Sequence, residues 1–272
     1  LTAAQAALLG AVQGVTEFLP VSSDGHLALF QAGLGLEDAS LALDVALHAG
    51  TLVAILLFFA RDLAGLFRSL VARAPGPAEL ADRRRVWLIA VATVPTGIIG
   101  LSLKGAVEAR VTSYGAAGIG FLLTALILAA AALRRSPADG GEPSEPWGAK
   151  KDGLPWGHAL ALGVAQGAAV WPGLSRSGST IAVALLLGWS WREAGRFSFL
   201  MALPALAGAL LLSAKDIASL PGDTVAVGFT TALVVGCLSL AVLMRFLRAR
   251  RLWPFSIYCA LAGAYALVRA AG

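Results

Sequence analysis

The sequence predicts an all-α polytopic membrane protein with six transmembrane helices plus two re-entrant helical hairpins in an inverted-topology repeat. Composition is the first reason. Of 272 residues, 58% are hydrophobic and 14% charged, and the mean hydropathy is +0.77, far from a soluble average. A soluble enzyme, a secreted disulfide scaffold and a disordered chain are excluded. The second reason is a set of six apolar runs, Leu41–Ala60, Val86–Leu103, Tyr114–Leu133, Phe197–Ala214, Thr224–Met244 and Pro254–Val268, each near the ~20 residues that cross a bilayer as a helix. The third is how the charge is distributed. Six arginines lie in 61–85 (Arg61, Arg68, Arg73, Arg83, Arg84, Arg85), four basic residues in 134–156 (Arg134, Arg135, Lys150, Lys151) and four in 245–253 (Arg245, Arg248, Arg250, Arg251). The positive-inside rule makes those three loops cytoplasmic. The connections near 104–110 and 215–223 carry only Lys104, Arg110 and Lys215 and fall on the opposite side.

With the loops so placed, residues 3–35 begin and end outside and residues 157–190 begin and end inside. Each is an apolar stretch broken by Pro, Gly and Ser, at Pro20-Val-Ser-Ser-Asp-Gly25 and at Pro172-Gly-Leu-Ser-Arg-Ser-Gly178, and each reads as a re-entrant hairpin. The halves also match. Gln13-Gly14 corresponds to Gln166-Gly167, and Arg61-Asp62-Leu63 to Lys215-Asp216-Ile217, at offsets of 153 and 154 residues. One integral membrane domain is expected, with repeat one over about 1–133, a cytoplasmic linker over 134–156 and repeat two over about 157–272. Cys237 and Cys259 lie in apolar spans and read as packing. The N-terminal stretch lacks a basic region and a clear cleavage site, so no removable signal peptide is expected. The basic balance of +5 reflects cytoplasmic loops, and no nucleic-acid partner is expected.

Broken backbone at membrane depth is tolerated where it is buried in protein or faces water, so the two breaks mark a functional cavity. Gln13 and Glu17 are four residues apart on one helix face, and the first break supplies Ser22, Ser23, Asp24 and, one turn on, His26. Ser23 or Asp24 can cap the following half-helix. The second break supplies Ser175, Arg176, Ser177, Gly178, Ser179 and Thr180, an anion cradle of hydroxyls, a positive helix end and a guanidinium fork suited to phosphate oxygens. An intramembrane Glu17 or Arg176 is a functional-site residue by default, although a purely structural Glu17–Arg176 tie is the plain rival. Single serines serve equally as caps or interhelical bonds. His48 and His158 read as structural or solvated, with His48 kept in view because it follows the first hairpin closely.

The strings QGVTEFLPVSSDGH (13–26) and PGLSRSG (172–178), with the apolar spans between and after them, resemble the bacterial undecaprenyl-diphosphate phosphatase family associated with bacitracin resistance. The resemblance covers nearly the whole chain. It implies hydrolysis of undecaprenyl diphosphate to undecaprenyl phosphate and inorganic phosphate, which recycles the lipid carrier of cell-wall synthesis, and a divalent cation, Mg²⁺ or Ca²⁺. By position, Glu17, Ser23, His26 and Arg176 fall on the family's functional residues, and Gln13 on a position that takes glutamate or glutamine. With Gln13 here, the metal would lean on Glu17, Asp24, water and the substrate's phosphates. Asp24 stands where the family commonly has threonine, either as a metal ligand or as a better helix cap.

The mechanism expected from this has Glu17, Ser23 and His26 as catalytic residues. Gln13, Ser22, Ser175, Arg176, Ser177, Gly178 and Thr180 bind substrate. Either Ser23, activated by His26 or Glu17, or an activated water attacks. The expected partners are a polyprenyl diphosphate and membrane lipids, with a homodimer left open. The expected place is the bacterial inner (plasma) membrane, multi-pass, with the site facing the extracytoplasmic side. The competing reading is a transporter or flippase of a polyprenyl phosphate, because inverted repeats with broken helices also build alternating-access carriers.

Overall fold

The computed structural model describes residues 2–36, 41–110, 113–134, 155–218 and 220–272. Among these described residues the chain is helical throughout, with twelve helices and no strand. The linker expected over 134–156 lies almost wholly outside them, and with it Arg135, Lys150 and Lys151.

Two short helices open the chain, α1 (Ala3–Thr16) and α2 (Ser23–Gly33). Thr2 and Gln5 close a reciprocal capping box at the start of α1, and Ser22 caps α2 by accepting from the Gly25 N–H. Next come α3 (Leu41–Phe58), α4 (Ala60–Val71), the long α5 (Pro77–Glu108) and α6 (Tyr114–Leu133). Proline at the first turn starts α5 and Ser113 caps α6. A second short pair, α7 (Trp156–Ala168) and α8 (Arg176–Leu186), precedes α9 (Trp191–Leu212), α10 (Ala214–Ile217), α11 (Gly222–Arg248) and α12 (Trp253–Ala271). Ser175 caps α8, and Ser190 with Glu193 forms a capping box on α9.

Five of these helices, α5, α6, α9, α11 and α12, are long and apolar enough to cross a membrane. A sixth span exists if Leu43–Phe58 and Ala60–Val71, bent by 73°, count as one. All six apolar runs of the sequence are therefore helical, with different ends. The basic segment 61–85, expected to be a loop, is instead α4 followed by the first turns of α5. Its apolar residues recur at helical spacing. Leu66 and Ser69 are buried, while Phe67, Leu70 and Val71 stay exposed. Arg83 donates to the Ser69 and Ala72 carbonyls at 2.7 and 3.0 Å, and Arg196 pairs with Asp62, so α4 is strapped to α5 and α9.

In lipid, apolar burial drives helix association weakly, and close packing carries more of the weight. α1 runs along α11, α7 along α5, and α6 along α12. Gly14 and Gly167 permit the first two contacts. A Cβ added to Gly14 would lie 2.8 Å from Val235 Cβ, and one added to Gly167 would lie 2.8 Å from Ile99 Cβ. Between the helices Phe18 meets Phe199 edge-on at 5.7 Å and Phe59 stacks on Phe199 at 6.0 Å. Cys259 is buried with its thiol 3.6 Å from the Pro20 carbonyl, and Cys237 is half-buried, both in the packing role expected. His158 accepts from the Trp189 indole N–H at 2.9 Å.

Candidate functional site

The breaks between α1 and α2 and between α7 and α8 place the polar residues. In the first, Glu17 ends α1 and the chain turns through Pro20 to Ser22, whose φ of +68° lies in the left-handed region. In the second, Gly173 turns at φ +84° so close to α6 that an added Cβ would collide with the Ala117 carbonyl. Thr124 of α6 holds that turn from both sides, donating to the Gly173 carbonyl at 2.9 Å and accepting from the Ser175 N–H at 2.8 Å. The turns also touch each other, since the Ser177 hydroxyl donates to the Leu19 carbonyl at 3.3 Å.

Glu17, 6% exposed, is the hub of the site. Its Oε2 accepts from Ser23 Oγ at 2.7 Å and from Gln13 Nε2 at 3.2 Å, and lies 3.3 Å from His48 Nε2. Its Oε1 pairs with Arg176 Nη2. Four groups thus converge on one carboxylate, which answers the high cost of placing an unpaired charge there. The Arg176 guanidinium also lies 5.7 Å over the Phe199 ring, and its Nη1 is buried with no hydrogen-bond partner among the described residues. His48 is fixed through Nδ1 by the Asp44 carbonyl at 2.7 Å, and its Nε2 is 3.6 Å from Asp24 Oδ1. Gln31 donates to Asp44 Oδ1 at 2.6 Å.

A cavity of about 500 Å³ opens beside this cluster. Glu17, Ser22, Ser23, Asp24, His48, Ser175 and Arg176 line its polar end. An apolar trough then runs between α5 and α9 past Gly97, Gly100, Ala205 and Gly208 to Lys104, Glu108 and Ser213. Pro95 and Pro204 interrupt the ladders of those two helices.

The other expected residues stand behind this wall. Gln13 is fully buried and reaches Glu17 and, at 3.5 Å, Thr51. The Gly178 N–H bonds the Ser175 hydroxyl at 3.0 Å. Thr180 donates to the Arg176 carbonyl at 2.8 Å and meets the Ser198 hydroxyl at 2.5 Å. His26 turns away from Ser23. Its Nδ1 lies 2.7 Å from the Ser22 carbonyl, its Nε2 lies 2.6 Å from the Tyr258 hydroxyl, and it is not among the cavity-lining residues.

Sequence reasoning read His48 as structural while keeping it in view, and missed Asp44, Thr124 and Tyr258. The rule that flagged Glu17, that a carboxylate in an apolar span is a functional-site residue, would have found Asp44 and, four residues on, His48. Nothing local pointed to Tyr258. For a cation, no group of three or more His, Cys, Asp or Glu is arranged to hold one among the described residues. The two carboxylates, however, face a common point, since Glu17 Oε2 and Asp24 Oδ1 both lie within 3.6 Å of His48 Nε2. The point they share is taken by the His48 ring nitrogen, so these two carboxylates would hold a divalent cation only where the imidazole swings aside and water and substrate oxygens complete its shell.

A family model described as bacitracin resistance protein BacA matches residues 6–265. Proteins named undecaprenyl-diphosphatase are similar along the chain. One from Desulfosudis oleivorans is 42% identical, over 97% of this chain and 97% of its own length. One from Methanosphaera stadtmanae is 40% identical over 97% and 96%, and one from Rubrobacter xylanophilus 40% identical over 93% of each.

Proposed function

Because this chain belongs to the bacitracin resistance protein BacA family, we propose that it is a multi-pass membrane phosphatase that hydrolyses undecaprenyl diphosphate to undecaprenyl phosphate and inorganic phosphate. One observation carries the reading. The Ser23 hydroxyl donates to Glu17 at 2.7 Å, and the same carboxylate is gripped by Arg176 from the other hairpin, at the wall of a cavity that continues as an apolar trough. A nucleophile, its base and a phosphate-binding cation meet where a lipid diphosphate can lie with its chain in the trough.

In this reading the architecture is an inverted repeat of two re-entrant hairpins. Reciprocal packing supports it, since the first hairpin's α1 lies on α11 of the second half and the second hairpin's α7 lies on α5 of the first. The site faces the extracytoplasmic side of the plasma membrane. In support, the trough ends at Lys104, Glu108 and Ser213, the ends of α5 and α9 remote from the arginines at 83–85 and from Arg192 and Arg196.

The substrate's terminal phosphate binds the guanidinium of Arg176, which lines the cavity, and the N-terminal N–H groups of α8. Ser23 Oγ attacks the terminal phosphorus, its proton passes to Glu17, and the bond from that phosphorus to the bridging oxygen breaks, releasing undecaprenyl phosphate. Water then attacks the phosphoserine, inorganic phosphate leaves, and the proton held by Glu17 returns to Ser23 Oγ. Asp24 and Glu17 are the residues that would hold a divalent cation, which would supply neutralisation of phosphate charge.

The test is phosphate release from undecaprenyl diphosphate by purified protein, with and without EDTA, and a search for phosphoserine at position 23 in quenched reactions. Release that stops with EDTA and returns with Mg²⁺ or Ca²⁺ is expected, together with a phosphate on Ser23. Asp24→Asn should raise the cation concentration for half-maximal rate by about tenfold. No release from folded protein with any divalent cation would overturn the phosphatase reading and leave transport of the lipid phosphate to be measured in a flipping assay.

A further inference from the structure

We propose that Tyr258 and His26 form a clamp on the peptide between Ser22 and Ser23, which makes Tyr258 a positioning residue for the Ser23 hydroxyl; this rests on the assignment of Ser23 as the attacking group. The starting point is strain. Among the described residues only Ser22 and Arg250 have positive φ without being glycine, and Ser22 sits at φ +68°, ψ 105°. Such a conformation costs about 1–3 kcal/mol and persists where the surroundings over-determine it.

The backbone alone holds Ser22 weakly. Its hydroxyl accepts from the Gly25 N–H at 3.3 Å, and its carbonyl accepts from the His26 N–H at 3.3 Å, both long. The short contact is from the His26 ring, whose Nδ1 lies 2.7 Å from the same carbonyl. A carbonyl can only accept, so Nδ1 carries the hydrogen, and in the neutral ring Nε2 is then an acceptor. The Tyr258 hydroxyl donates to it at 2.6 Å. The two rings stack at 5.6 Å with 7° between their planes, and the edge of Phe121 closes on the imidazole at 5.0 Å. The ring is therefore fixed by two hydrogen bonds and two neighbouring aromatic rings.

The consequence for Ser23 follows from peptide planarity. The Ser22 carbonyl and the Ser23 N–H belong to one rigid plane, so holding that carbonyl sets the position of the Ser23 Cα and directs Oγ to Glu17 at 2.7 Å. A displacement of about 1 Å at an attacking atom costs on the order of a hundredfold in rate. His26 thus acts through the backbone, away from the cavity, and Tyr258 of α12 ties the turn to an element 232 residues away.

The experiment compares kcat and KM for His26→Ala, His26→Asn, His26→Gln, Tyr258→Phe and Ser23→Ala in the full chain, with thermal melts as folding controls. Asparagine places an N–H close to the position of Nδ1, whereas glutamine extends towards Nε2. His26→Asn should recover at least about tenfold over His26→Ala, with His26→Gln recovering less, and Tyr258→Phe should lower kcat about three- to tenfold with KM unchanged. His26→Asn as slow as His26→Ala in equally folded proteins would overturn the clamp, as would glutamine rescuing better than asparagine. Tyr258→Phe that leaves kcat unchanged, or that moves only KM, would remove Tyr258 from the role. Ser23→Ala with parental kcat would instead refute the attack assigned to Ser23, a result independent of the asparagine-to-alanine ratio.

Discussion

The two hairpins share a frame and differ in chemistry. At an offset of 153 residues Gln13, Gly14, Ser22 and Gly25 match Gln166, Gly167, Ser175 and Gly178. In both, a glycine lets the first half-helix press against a long helix, and a serine caps the second half-helix through the N–H three residues on. At the same offset Glu17 faces Val170, Ser23 faces Arg176, and His26 faces Ser179. The first hairpin holds the carboxylate and the hydroxyl, and the second holds the guanidinium. Even the shared glutamines diverge, since Gln13 serves Glu17 while Gln166 donates to the Met201 carbonyl at 3.2 Å and to Thr96 at 3.4 Å. Two turns of like frame thus come to one place with unlike chemistry, and in the proposed reaction the reacting groups stand at the positions where the two stretches disagree.

The largest effects should fall on those positions. Ser23→Ala and Arg176→Lys are expected to lower kcat by about a hundredfold to a thousandfold while leaving thermal unfolding near that of the parent; lysine keeps the charge and loses the fork. If Arg176→Lys retained parental kcat, the guanidinium would be a structural tie, and the chemical contrast between the hairpins would disappear.

Matched positions should cost stability in equal measure. Gly14→Leu and Gly167→Leu each force side-chain atoms against a facing helix, and each should destabilise by about 1–3 kcal/mol in reversible unfolding. A large loss in one half alone would show that the frame is not shared.

The smallest effect is the most discriminating. Ser22 and Ser175 are both caps, but φ is +68° at the first and −68° at the second. Removing either hydroxyl with alanine should cost about 1 kcal/mol. Glycine should cost a few tenths at Ser175 and less than that at Ser22, where it also relieves the left-handed strain. Equal costs for Ser22→Gly and Ser175→Gly would mean that the strain at Ser22 is not stored in the fold.

Much of this was legible in the sequence because membrane depth makes local features informative. Each apolar run became a helix, and both Pro-Ser breaks became turns carrying Glu17, Ser23, Asp24, Ser175 and Arg176 to one cavity. The helix α4 was not legible, because arginine content marks the side of the membrane and says nothing about backbone conformation. Reading the period of Leu63, Leu66 and Leu70 would have exposed it. Single polar residues in a span also misled, since His48 gains meaning only from Glu17 and Asp24 beside it. The partition of the second motif, with Arg176 facing the cavity while Thr180 bonds its own helix and Ser198, depends on helix rotation, which Thr124 and Gly173 fix through contact with α6. The orientation of His26 was hidden for the same reason, since Tyr258 decides it.

The central claim is that both hairpins build one site through the Glu17–Arg176 pair. A double-mutant cycle of Glu17→Gln, Arg176→Ala and the combination, read as kcat/KM for phosphate release, measures this directly. Groups acting as one unit predict that the double variant is no slower than the worse single variant. Losses that multiply would place the two residues in independent roles and contradict the account.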